Sequence, residues 1–80
     1  MNPDLDRQII NFMNDVGWYI SMEYGREINN QYIELWHNKH FLNNTLYDFI
    51  GSYYLGGNTV PDTARYVVEL IESYYLKKML

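Results

Sequence analysis

Three residues of types that bind metal ions lie three apart in the middle of the chain: Glu34, His37 and His40. If this segment is helical, the three side chains share one face, and a Glu-x-x-His pair is a ligand pattern of helical di-iron proteins. Such a site also needs carboxylates that point inward from other helices, and the other apolar faces offer few. We therefore predict no metal ion and no cofactor, and we keep a metal-binding helical protein as an alternative.

Nucleophilic catalysis needs an activated serine, threonine or cysteine beside a base. The chain has no cysteine, and its serines are Ser21, Ser52 and Ser73, each in the middle or near the end of a predicted helix. The pair Gly56 and Gly57 follows no strand, so it is better explained as a helix stop than as a phosphate-binding loop. We predict that the protein is not an enzyme and has no catalytic residues.

The composition indicates one folded domain over residues 1–80. Hydrophobic residues make up 48% of the chain, and 18% is aromatic, mostly nine tyrosines. This is too apolar for a disordered chain, and the lack of cysteine excludes disulfides. No run approaches the roughly 18 apolar residues of a transmembrane helix, and the first residues lack the basic start of a signal peptide. We expect a cytoplasmic protein.

The net charge of −4 removes the usual attraction for nucleic acids and anionic membranes. A helix-turn-helix would need basic and amide side chains on its second helix, but residues 45–55 contain Asp48 and neither lysine nor arginine. We predict no direct nucleic-acid partner and no membrane partner. Residues 1–24 contain four acidic residues and one basic residue, so a basic protein partner would be attracted to the first helix.

Helical periodicity is clearest at the two ends of the chain. Pro3 suits the first position of a helix that runs to about Tyr24, and Gly25 is suited to end it. Gly17 lies inside this helix, where it allows another helix to approach closely. The apolar face of the first helix consists of Leu5, Ile9, Phe12, Met13, Val16, Tyr19 and Ile20. The last helix begins around Pro61, and its apolar stripe consists of Ala64, Val67, Val68, Ile71, Tyr74 and Tyr75.

Two shorter elements lie between these helices. Thr45 and Asp48 predict the start of a helix that ends before Gly56. Residues 30–41 fit either a helix or an alternating strand, and because a lone strand would have nothing to pair with, we predict a helix. The resulting fold is all-α, a compact bundle of about four helices, with two long terminal helices and two short ones.

Trp18 and Met22 interrupt the polar side of the first helix. They lie four residues apart, so they form one patch, with Asn11 and Asp15 as its polar rim. An exposed tryptophan beside a methionine is typical of an interaction hot spot. The alternative is that a short helix covers them. The polar face of the last helix carries a weaker second patch, so the predicted partner-binding residues are Trp18, Met22, Asp15, Asn11, Leu76 and Tyr66.

In size, acidity and lack of cysteine, the chain resembles the small anti-defence inhibitors of phages and mobile elements, such as anti-CRISPR proteins. Two fragments, EYGREI at 23–28 and ARYVVE at 64–69, are similar to pieces of ArdA-type antirestriction proteins, although here they occur in the opposite order. The resemblance implies an inhibitor that occupies the surface of a host defence nuclease complex, in the host cytoplasm if a phage encodes it. No functional residue is carried over from it.

We therefore expect a non-enzymatic protein that binds a larger protein partner. The alternative from another class is a small structural or interaction protein in which the same patch closes a symmetric homodimer.

Overall fold

The computed structural model describes residues 3–36, 40–41 and 44–79. The predicted all-α bundle is confirmed, with two long helices at the ends of the chain and two short ones between them. In chain order the elements are α1 (Pro3–Glu23), α2 (Arg26–Trp36), β1 (His40–Phe41), β2 (Asn44–Thr45), α3 (Leu46–Leu55) and α4 (Val60–Met79). None of the helices within the described ranges combines the length and the apolar character needed to cross a membrane.

The segment predicted as a helix over 30–41 differs from the structure at both of its ends. Helix α2 starts at Arg26 and ends at Trp36, so Asn29 lies inside it. His40 pairs with Thr45 in a two-residue antiparallel ladder. The choice of a helix over an alternating strand is therefore confirmed for residues 30–36. It is wrong at the end of the segment, where His40 and Phe41 pair with the residues just before α3.

The turn between α1 and α2 is short because Gly25 adopts a left-handed conformation, with φ of 105°. Side chains strongly disfavour this conformation, whereas glycine does not. The amides of Tyr24 and Gly25 both donate to the carbonyl oxygen of Ile20, which closes the end of α1. Two residues thus separate the helices, and α1 and α2 form an antiparallel hairpin.

Helix α1 is the centre of the bundle, since it packs against α2, α3 and α4. Its core-facing residues recur at helical spacing, as the sequence predicts. All four helices contribute to one core, made of Ile9, Phe12, Met13, Val16, Ile20, Tyr32, Leu35, Leu46, Ile50, Ala64, Val67, Val68 and Ile71. Because each helix buries only one face, the outer faces of α1 and α2 remain available for contacts.

The start of α3 depends on Thr45, the residue that also ends β2. Its Oγ1 accepts a hydrogen bond from the Asp48 amide at 3.1 Å and donates one to the Asp48 carboxylate at 2.7 Å. We expect Thr45→Ala to lower the free energy of unfolding by about 1 kcal/mol, because an amide of the first turn loses its partner. Urea denaturation checks this, with Ser52→Ala as a control on the exposed side of the same helix. An equal loss in both variants would contradict a specific capping role.

Candidate protein-binding site

The residues predicted as the main contact lie together on the outer face of α1. Trp18 is 71% exposed and Met22 is 65% exposed. Asn11 and Asp15 are exposed on the same helix, and the spacing of four, three and four residues places all four side chains in one row. We call these four residues the α1 stripe. Of the two alternatives that the sequence leaves open, the structure shows the exposed one, since no described part of the chain covers Trp18 and Met22.

A shallow apolar groove of about 400 Å³ lies beside the α1 stripe, between α1 and α2. We call it the α1–α2 groove. Its lining residues are Asn14, Gly17, Trp18 and Ser21 from α1, and Asn29, Tyr32, Ile33 and Trp36 from α2. Trp18 belongs to both features, so the stripe and the groove form one continuous surface.

Gly17 explains why the two walls of the groove lie so close together. A Cβ atom at this position would lie 3.0 Å from Cε2 of Tyr32 and 3.4 Å from Oδ1 of Asn29. The absent side chain therefore allows the ring of Tyr32 to pack directly against the α1 backbone. The predicted role of Gly17 in close helix approach is confirmed.

Tyr32 fixes the position of α2 against α1. Its side chain is fully buried, and its hydroxyl donates to the carbonyl oxygen of Met13 at 2.8 Å. Burial raises the pKa of Tyr32, and the adjacent Trp36 indole offsets this only in part. The hydroxyl therefore stays neutral and remains a donor throughout the physiological pH range.

Two polar atoms in the groove walls are buried without a hydrogen-bond partner in the described part of the chain: Oδ1 of Asn29 and Nε1 of Trp36. The Trp36 ring packs edge-on against Tyr32, with ring centroids 5.5 Å apart, and its N–H reaches no acceptor in hydrogen-bonding geometry. Unsatisfied buried groups cost free energy. The groove walls therefore contain buried polar atoms whose hydrogen-bonding capacity is unused.

The groove lies in the acidic half of the protein. Residues 3–36 carry six acidic side chains, Asp4, Asp6, Asp15, Glu23, Glu27 and Glu34, against the two bases Arg7 and Arg26. That difference equals the net charge of −4 of the whole chain, so the remaining residues balance to zero. The α1–α2 hairpin is thus the part that attracts a basic partner.

Tyr66 lies elsewhere, in an open pocket of about 690 Å³ between α3 and α4. Its ring packs against Tyr53, with centroids 5.3 Å apart, and against Phe49 at 6.1 Å. Burial is the main cause that raises the pKa of Tyr53 to about 12, and the hydrogen bond with the neighbouring Tyr66 hydroxyl is the second. The pocket is lined by Asp62, Glu69 and Arg65, so its excess of negative charge is smaller than that of the hairpin.

Leu76 is 62% exposed on α4 and lines neither the α1–α2 groove nor the pocket of Tyr66. The structure therefore places the four predicted contact residues of the first helix in one row, and the two residues predicted as a second patch, Tyr66 and Leu76, lie exposed on α4. Two groove residues, Ile33 and Trp36, were missed as contact residues. Their spacing from Asn29, at four and seven positions, would have indicated them had the second helix been started at Arg26 instead of residue 30.

The structure does not place the three possible metal ligands, Glu34, His37 and His40, together on one helix. Glu34 lies in α2, which ends at Trp36, and His40 begins β1, while His37 lies outside the described residues. Within the ranges that the structure describes, no group of three or more potential ligands could hold a metal ion.

Comparison of the chain with protein-family models, curated proteins and solved structures finds no match.

Proposed function

We propose that the protein is a non-enzymatic inhibitor that docks on a larger protein through the α1 stripe. The supporting observation is the exposure of Trp18 and Met22 side by side on a helix whose other face is fully used in the core. Exposed tryptophan is costly to leave in water and is strongly enriched among residues that dominate binding energy. Asn11 and Asp15 supply the polar rim that excludes water around such an anchor.

Charge defines the partner surface further. The α1–α2 hairpin carries the whole net negative charge, so its complement is a basic surface with an apolar depression for Trp18. Nucleic-acid-binding enzymes present basic surfaces, since they must neutralise phosphates. Together with the resemblance to phage anti-defence proteins, this favours a host defence nuclease complex as the partner.

The mode of inhibition is occupation of a site by mixed contacts. A protein that imitates DNA by charge alone needs a dense lattice of carboxylates, whereas this chain offsets ten acidic residues with six basic ones. Aromatic and acidic contacts around Trp18 fit this composition better than imitation of the phosphate backbone.

Trp18→Ala is expected to weaken partner binding about 30-fold, which corresponds to about 2 kcal/mol, because it removes the central anchor. The tagged protein is used to capture its partner from a lysate of the native host cell, and Kd is then measured by calorimetry with the purified partner. Thermal melting followed by circular dichroism should show a nearly unchanged midpoint, since Trp18 contributes little to the core.

Leu55→Ala is the matched control, since Leu55 is 64% exposed on α3, away from the hairpin. A partner that binds wild type, Leu55→Ala and Trp18→Ala equally would refute the proposal. So would a concentration-dependent dimer that Trp18→Ala dissociates, because the α1 stripe would then be a self-association surface.

A further inference from the structure

We infer that the α1–α2 groove binds the apolar face of a basic amphipathic helix of the protein partner. This inference rests on the proposed function and extends the contact from α1 onto α2. It assigns roles to Ile33 and Trp36, which lie outside the α1 stripe. The partner is defined by its chemistry: apolar side chains along one helix face, flanked by lysine or arginine.

The length of the groove sets the length of the occupant. On α1 the groove runs from Asn14 to Ser21, and on α2 from Asn29 to Trp36. Seven residues of helix advance about 10 Å, which matches two turns of a bound helix. Two turns present side chains at positions i, i+4 and i+7 on one face. The groove of about 400 Å³ exceeds the roughly 150 Å³ cavity that a benzene ring fills, so it has room for more than one such side chain.

The walls of the groove favour an apolar occupant. Trp18 is largely exposed and Ile33 is 42% exposed, and both contribute apolar surface that a partner would remove from water. Burial of this kind contributes roughly 25 cal/mol per Å² of apolar surface before the costs of association. The groove thus has the apolar centre that a stable contact needs.

The surrounding backbone favours a helix over an extended strand. Helices α1 and α2 hold their own backbone hydrogen bonds internally, so they offer no ladder to which a strand could add. Ridges of side chains on two neighbouring helices instead leave a groove that accepts the ridge of a third. The α1–α2 hairpin therefore fits a helical occupant.

Charge complementarity selects a basic helix. Asp15 lies three residues before Trp18 on α1, on a hairpin whose six acidic and two basic side chains leave a net charge of −4. The pocket between α3 and α4 lies outside this hairpin and mixes both signs of charge. A helix with lysine or arginine beside its apolar face would meet a larger excess of negative charge on the α1–α2 hairpin than at that pocket.

Binding of a peptide to the groove can be followed by the fluorescence of the chain's own tryptophans. It contains two tryptophans, Trp18 and Trp36, and both line the groove. Intrinsic tryptophan fluorescence therefore reports on the groove and on the part of the α1 stripe that Trp18 shares with it. The ligand is a synthetic tryptophan-free peptide of about 15 residues, long enough to form a helix, with leucine at i, i+4 and i+7 and lysine at the flanking positions. We expect a saturable blue shift, with an affinity that falls as ionic strength rises.

Ile33→Asp should raise Kd for the peptide at least tenfold, because it places a charge in the apolar wall. Leu55→Asp is the matched control on an exposed site of α3 and should bind as the wild type does. A peptide of the same composition with its leucines scrambled off one face, and one with glutamate in place of lysine, should both bind much more weakly. The inference is overturned if either peptide binds equally well, if Ile33→Asp has no effect, or if no shift occurs.

Binding measurements with the purified natural partner distinguish the groove inference from the proposed function. If Trp18→Ala weakens partner binding and Ile33→Asp does not, the contact is confined to the α1 stripe, and the groove inference alone fails. If neither variant weakens it, both proposals fail. Loss of binding in both variants, with retention in Leu55→Asp, supports both.

Discussion

Replacing Tyr32 with alanine is expected to lower the free energy of unfolding by about 4 kcal/mol. The ring is fully buried between α1 and α2, and a cavity of its size cannot be filled by neighbours that are themselves held in helices. The substitution also removes the hydrogen bond from the hydroxyl to the Met13 carbonyl oxygen. For a domain of 80 residues this is a large share of the total stability.

Tyr32→Phe separates the contribution of the ring from that of the hydroxyl. Phenylalanine keeps the packing against Gly17 and loses one buried hydrogen bond, so we expect a loss of about 1 kcal/mol. Urea denaturation followed by circular dichroism measures both variants. If the alanine variant shows no cooperative transition, the phenylalanine variant still tests the hydrogen bond. A loss from Tyr32→Phe as large as that from Tyr32→Ala would show that the hydroxyl, and not the ring, holds the hairpin together.

Gly17→Val is expected to destabilise the protein by about 3 kcal/mol. Its Cβ atom would approach Cε2 of Tyr32 to 3.0 Å, and the two methyl groups beyond it would force α2 away from α1. Overpacking of this kind outweighs the gain in helix propensity from replacing glycine. The emission maximum of the two groove tryptophans should also shift, because one wall of the groove moves.

Gly51→Ala is the control for Gly17→Val, since Gly51 is likewise a buried helical glycine. Its Cβ would lie 3.4 Å from a terminal methyl of Ile9, which can move aside. We expect Gly51→Ala to leave the free energy of unfolding nearly unchanged or slightly raised, with unaltered tryptophan emission. A neutral Gly17→Val variant would show that α1 and α2 do not need close contact at this point.

Most of the helical framework could be predicted from the sequence because its signals are local. Pro3 and Gly25 mark the ends of α1, and Thr45 with Gly56 bounds α3, each through a backbone or capping preference of one residue. The stretch around α2 could not be predicted as reliably. Its start at Arg26 has no Ser, Thr, Asp or Asn cap before it. The ladder that pairs His40 with Thr45 has only two residues on each strand, which is too short to show an alternating pattern.

The contact surface was predictable to the extent that it lies on one helix. The α1 stripe follows from the spacing of Trp18 and Met22 against the apolar face of the same helix. The α1–α2 groove needs the register between two helices, which is set by Gly17 packing on Tyr32, and so Ile33 and Trp36 were not found. Tyr66 and Leu76, predicted as a second patch on the last helix, are both exposed on α4. A pattern on one helix does not show what packs beside it, so the aromatic neighbours of Tyr66 on α3 could not be predicted.

The confinement of all net charge to residues 3–36 has a consequence for the rate of association. Because the net negative charge lies on one hairpin, the field of a positively charged partner favours approaches in which that hairpin faces the partner. A larger fraction of encounters then begins with the α1–α2 hairpin in contact with the partner. Such steering can raise association rate constants by roughly 10- to 1,000-fold at low ionic strength.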